Sequence, residues 1–247
     1  MIKHFLKFSI IYVCFIFSIE ADDILYKTTE KFMGIDRYLI AEINENKKNG
    51  KQTKKIFESW THWDSLGIKK ERVQILRPDN LKGVNFWTHT KDDIVDKWMT
   101  LPKSGKLKKV KGRFGKKDDF DFSDLELKKD NIIGHTNTII GEEIINDRYC
   151  FIITNVKKNN KGEIKYSLKI WVDKKDYVIH KVVYYNKKNK VTKEILLSEL
   201  VNIKNNYVFE KIHIRDIKKK KNIFIKFSNI SFDNINNLQM FEPKSLK

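Results

Sequence analysis

Arginine is scarce in this chain: positions 37, 72, 77, 113, 148 and 215 hold all six, among 50 basic residues in 247. Lysine supplies the other 44, and the formal net charge is +18. The planar guanidinium fork reads phosphates and bases in pairs, whereas the lysine ammonium is a solvated point charge. So one-sided a use of lysine argues against a nucleic-acid reader. Lysine, asparagine and isoleucine also share A/T-rich codons, which accounts for much of the excess. The lysines stand mainly in polar turns, among them Lys47-Lys48, Lys157-Lys158, Lys174-Lys175, Lys187-Lys188 and Lys218 to Lys221. A solvated turn is the plain reading of such pairs, and anionic headgroups are the partner expected if the basic surface acts.

Cysteine is almost as rare, with Cys14 and Cys150 alone. Cys14 lies within an apolar run and follows Val13, which is not the small residue that a lipoprotein signal needs before its cysteine. Once the leader is removed, Cys150 has no partner for an intrachain disulfide. Its neighbours Tyr149 and Phe151 to Ile153 predict a buried thiol. Beyond residue 21 no long apolar run occurs, so the remainder of the chain is expected to be soluble. Sequence motifs for covalent or phosphate chemistry are absent: there is no G-x-S-x-G elbow, no G-x-G-x-x-G and no phosphate-binding loop. "KSGK" (Lys103 to Lys106) lacks both the upstream glycine and the hydroxyl residue after its lysine. His62, His89, His135, His180 and His213 fall on separate strands with no metal-ligand spacing. "DDFDFSD" (Asp118 to Asp124) has alternating acids, but Asp124 stands where a calcium loop needs glycine and Asp130 where it needs glutamate. The expectation is therefore no catalytic residue, no metal and no cofactor: a binding protein rather than an enzyme.

What is present starts with a leader. Lys3, His4 and Lys7 form a basic segment, "FSIIYVCFIFSI" an apolar core too short to span a bilayer, and Ala21 a cleavage residue. Residues 1–21 read as a signal peptide, with a retained anchor as the alternative, and 22–247 as one domain. "DDILYKTTEKFMG" reads as a short helix, acidic at its start, ended by Gly34, with Ile24, Leu25, Thr28 and Phe32 on one face. From Ile35 the period becomes two. Strand after strand follows, joined by short wet links, and only residues 116–130, with Phe120, Phe122, Leu125 and Leu127 among acids, break the meander with a loop and helical turn. Such a pattern excludes α/β folds and predicts a mainly β protein of about 11 to 13 antiparallel strands.

Two stretches bear on the sheet's faces. In "NIFIKFSNISF", Ile223, Ile225 and Phe227 share one parity and Ile230 and Phe232 the other; a bulge near Ser228-Asn229 would put all five on one face. In "LKIWVDKKDYVIHKVVYYN", a four-residue loop over Asp173 to Asp176 pairs Val172 with Tyr177 and Ile170 with Ile179, leaving Trp171, Val178, Val182 and Tyr184 on the opposite face. Both faces are then partly apolar, and something has to cover the second: the N-terminal helix, the 116–130 segment or a ligand.

"LKIWVDKKDYVIHKVVYYNKKNKVTKEILLSEL" resembles the strand-turn-strand signature of LolA-like outer-membrane lipoprotein-sorting proteins. "LRPDNLKGVNFWTH", "DKWMTLPKSGKLKKV", "DDFDFSDLEL" and the closing "FIKFSNISFDNINNLQMFEPKSL" are similar to further elements of that family, in the family's order. Asn85, Trp87, Lys117 and Asp118 depart from its usual residues. The resemblance implies an incomplete antiparallel β-barrel curled over a few short helices that form a lid, with an apolar cavity for acyl chains. Candidate cavity-lining residues are Trp60, Phe86, Trp98, Phe151, Ile170, Trp171, Val182 and Phe227. It further implies a monomeric periplasmic carrier that shuttles lipid or lipoprotein acyl chains towards the outer membrane, served by an inner-membrane transporter of ABC or RND type and an outer-membrane acceptor. The alternative is a secreted basic module for an anionic membrane surface or polysaccharide.

Overall fold

The computed structural model describes residues 20–91, 94–101, 103–111 and 132–244. Most of the leader, with Cys14, and the whole 116–130 segment with its calcium-like acids lie outside the described residues.

The first described element is α1 (Ala21–Glu30), which carries Asp22 and Asp23 in its first turn and buries Ala21, Ile24 and Leu25. Carboxylates there complement the exposed amide dipoles of a helix start. Gly34 adopts φ +73° after the last helical turn, a conformation that costs a residue without a Cβ little.

Thirteen strands follow: β1 (Arg37–Lys47), β2 (Gln52–Trp63), β3 (Lys69–Arg77), β4 (Asn85–Lys91), β5 (Ile94–Thr100), β6 (Leu107–Val110), β7 (Thr136–Ile145), β8 (Arg148–Lys158), β9 (Ile164–Asp173), β10 (Ile179–Asn186), β11 (Val191–Ile203), β12 (Asn206–Asp216) and β13 (Lys221–Ser231). They form one antiparallel sheet in the order β6-β5-β4-β3-β2-β1-β13-β12-β11-β10-β9-β8-β7. The sheet is an open, incompletely closed barrel whose two edges are β6 and β7. A twisted sheet of this many strands curls rather than staying flat. Thirteen strands fall at the upper end of the eleven to thirteen that the pattern predicts. Among the described residues, the helical elements besides α1 are two 3-10 turns, Asp79–Leu81 and Leu238–Phe241.

The parity change in the last strand is a bulge. Ile40 pairs with Ser228 but Tyr38 with Ser231, so β13 spends one extra residue there, and Asn229 takes φ +52°. Phe232 is thereby returned to the helix side, where its ring stacks on Phe32 with centroids 6.0 Å apart.

The turn after β9 corrects the expected register. Val172 pairs with Ile179 and Ile170 with Val182, because Tyr177 adopts φ +52° and the ladder slips by one residue at His180. A one-residue slip exchanges the faces. Val182 and Tyr184 therefore share the face of Ile170, and Trp171 lies on the other, opposite Lys181.

Candidate functional site

The register fixes an inner face, defined by α1 packing on it, and an outer face. Along the inner face one lateral row runs through seven consecutive strands: Ile223, Ile214, Ile195, Val182, Ile170, Ile153 and Ile139, each paired with the next. β-branched side chains fit a pleated, buried surface, and cross-strand neighbours of this kind are the unit of sheet stabilisation. Ile24 and Leu25 of α1 press on the Ile153, Leu168, Ile170 and Val172 end of the row. The other end continues into Ala41, Ile43, Phe57, Ile212 and Ile225.

The same face extends past this core. A second row, Met99, Phe86, Val73, Ser59 and Leu39, crosses β5 to β1. Its apolar members are only half-buried. The inner face is thus a long apolar floor, covered by α1 over β8 to β10 and, among the described residues, half-buried over β3 to β5.

Where the first row meets β1 the floor turns polar. Ile223 pairs with Glu45, whose Oε1 lies 2.9 Å from Lys221 Nζ, and both side chains are buried. Burial of each charge is tolerated here because the other neutralises it.

The outer face is built differently. Trp98, Trp87, Arg72, Trp60 and Tyr38 form a row across β5 to β1. The Arg72 guanidinium stands 5.2 Å from the Trp60 ring centre and 6.0 Å from that of Trp87, a cation–π sandwich. The C-terminal segment straps this row: Trp87 Nε1 donates to the Met240 carbonyl at 3.0 Å, His89 Nε2 to that of Phe241 at 2.9 Å, and Phe241 is fully buried. The Asp36 carboxylate accepts from the backbone N–H of Ile235 and from His62 Nδ1. Further along, Trp171 is buried with Cys150 and Val183. Its indole donates to Glu143 at 2.6 Å, and Lys181 Nζ lies 4.6 Å from its ring centre. Lysine stems thus cover apolar surface while their heads stay in water. Burial pushes the Cys150 thiol up to about 11, as does the Asp173 carboxylate beside it, which makes it a poor nucleophile.

The eight candidate lining residues therefore divide. Phe86, Phe151, Ile170, Val182 and Phe227 stand on the inner face. Trp60, Trp98 and Trp171 stand on the outer one and do not face the same space. Aromatic content pointed to these tryptophans, and parity against a register that the turns set decided their side. Sequence reading did not count Ile139, Ile153, Ile195, Ile214 and Ile223 among the lining residues; their alternation was visible, but not that five strands would bring them into one row. It also overlooked Glu45 and Lys221, which are far apart in the chain.

Among the described residues, no group of three or more His, Cys, Asp or Glu side chains converges as a metal site would require, and no helix is long and apolar enough to cross a membrane.

No curated protein matches the chain significantly. Solved structures do match its fold. A DUF1329 family protein from Desulfovibrio piger superposes with a TM-score of 0.74 at 20% identity, covering 90% of this chain and 95% of that one. A Vibrio parahaemolyticus domain described as outer membrane lipoprotein-sorting gives 0.72 at 16%, covering 90% and 95%. A LolA superfamily protein from Nitrosomonas europaea gives 0.63 at 13%, covering 90% and 97%. The fold is thus the LolA-like open barrel, and because residues 67–247 match the model of a family described as "Uncharacterized protein", the chain belongs to that family.

Proposed function

We propose that the chain is an exported, non-enzymatic carrier that shelters acyl chains of a lipid or lipoprotein against the inner face of its open sheet and moves them through the periplasm towards the outer membrane. The observation that carries this reading is the apolar floor running from β5 to β7 in a single-sheet protein, whose members Val73 and Met99 are half-buried beyond the region that α1 covers. Half-buried apolar rows next to a packed core are what a guest chain would complete. Burying one methylene is worth about 0.8 kcal/mol, so a long acyl chain leaves a membrane only for such a surface. The likeness of fold to a LolA superfamily protein and to a lipoprotein-sorting domain supports the same reading. On it, residues 1–21 are a leader and an inner-membrane donor and an outer-membrane acceptor complete the route.

Native mass spectrometry of the protein released from its own host's envelope tests this. The expected result is a population carrying acyl-bearing mass increments, lost on delipidation and restored by added lipid. A bare polypeptide mass that added lipid leaves unchanged would overturn it.

A further inference from the structure

Antiparallel topology sorts the turns of this sheet onto two opposite ends. Among the described residues, one end carries the connectors 48–51, 78–84, 101 with 103–106, 159–163, 187–190 and 217–220, and the other carries 31–36, 64–68, 146–147, 174–178 and 204–205; residues 92–93 and 112–131 lie outside the described residues. Their charges are unlike. The first set holds twelve lysines against Asp79 and Glu163, the second four lysines against four aspartates. Lysine simply favouring wet turns would load both ends alike, so the asymmetry belongs to the placement. It is also concentrated. Connectors 187–190 and 217–220 carry three exposed lysines each. They lie side by side, because the backbone N–H groups of Ile217 and Lys218 both donate to the Thr192 carbonyl at the start of β11, at 2.9 and 3.2 Å.

We infer that this basic end is a docking rim for an anionic lipid bilayer, and that it holds the chain end-on against the membrane surface. Charge complementarity selects the partner. Each lysine near a surface bearing anionic headgroups adds attraction, and the separate contributions sum across a flat array. The six connectors alternate along the sheet from β6 to β7, so the rim presents many point charges along one edge. None of these connectors contains an arginine or an aromatic residue, the side chains with which a protein clamps phosphates in pairs or stacks on bases. A bilayer asks for neither. The rim goes beyond the carrier reading and does not depend on it, since it acts through headgroups and not through the inner face.

Flotation of the full chain, purified without detergent, tests the rim with vesicles of phosphatidylcholine alone and of phosphatidylcholine mixed with phosphatidylglycerol, at low and high salt. The quantity read is the gain in binding on anionic over neutral vesicles, which cancels any contribution of the apolar leader. The variant K187E/K188E/K218E is compared with K174E/K175E/K204E, which changes net charge equally at the opposite end. The gain is expected to fall about tenfold or more in the first variant and to stay within about twofold in the second, and to shrink with salt. Equal losses in both variants, no gain on anionic vesicles, or stronger retention by duplex DNA than by those vesicles would each overturn the rim. Acyl-chain capture measured on the same variants separates the two readings, because it is expected to be unchanged in both.

Discussion

His180 is fully buried, with its Nε2 unpartnered and 4.0 Å from an oxygen of Asp173. The ring meets the edge of Phe209 at 4.8 Å between centroids. Burial pushes its titration below the ordinary histidine value, against the pull of Asp173 and with the help of Arg148. Asp173 in turn is raised by burial, but it stays below its usual range because Arg148 and the backbone N–H groups of Asp176 and Lys175 donate to it. An unfolded chain binds a proton at His180 below about pH 6.5, whereas the folded chain resists it. Stability from this residue is therefore complete above that pH and is lost as pH falls below it towards the folded-state value. Denaturant melts from neutral to mildly acidic pH are expected to show a slope that H180F largely removes; an unchanged slope would contradict the assignment. At Glu45–Lys221 the expectation is asymmetric. Glu45→Ala leaves a buried cation and is expected to cost about 3–5 kcal/mol, while E45L/K221M is expected to be near neutral or stabilising, as read by chemical denaturation.

Among the elements, α1 is anchored mainly by Ile24 and Leu25, with Ala21 buried beside them. Leu25→Ala is expected to lower stability by about 2–5 kcal/mol, since Leu25 is fully enclosed against β8 to β10; a loss below about 1 kcal/mol would mean that the helix packs loosely. Asn229→Gly is expected to be tolerated and Asn229→Val to destabilise, because φ +52° suits glycine and penalises a branched Cβ. Thermal melts of the pair check this. Elements were also what the sequence disclosed best. Period-two runs between lysine-rich turns located the strands, and the parity break at Ser228-Asn229 located a bulge. The helix was legible in Ile24 and Leu25 next to Gly34. The β9–β10 register was not, because it depends on a left-handed Tyr177 and a slip at His180, which no local pattern encodes. That slip decided the side of Val182, while α1 packing on the Ile170 face of β9 left Trp171 on the outer one.

For the whole molecule, the two faces divide labour by chemistry. On the outer face the C-terminal strap covers Trp87 and lysine stems cover Trp171, while Leu196 and Phe224 stay exposed. The inner face is covered by α1 at one side and, among the described residues, half-buried around Val73 and Met99 at the other. The separation follows from pairing between strands distant in sequence, β1 with β13 above all, and so was beyond reach of a reading along the chain. Photo-cross-linking with a diazirine-bearing fatty acid addresses it most directly, using the full chain with the labelled residue located within each peptide by tandem mass spectrometry. Labelling is expected at Phe86, Met99 and Val182, competed by unlabelled fatty acid, and not at Trp60 or Trp171. Label concentrated on those outer tryptophans, or spread evenly over both faces without competition, would contradict the inner face as the acyl-binding surface.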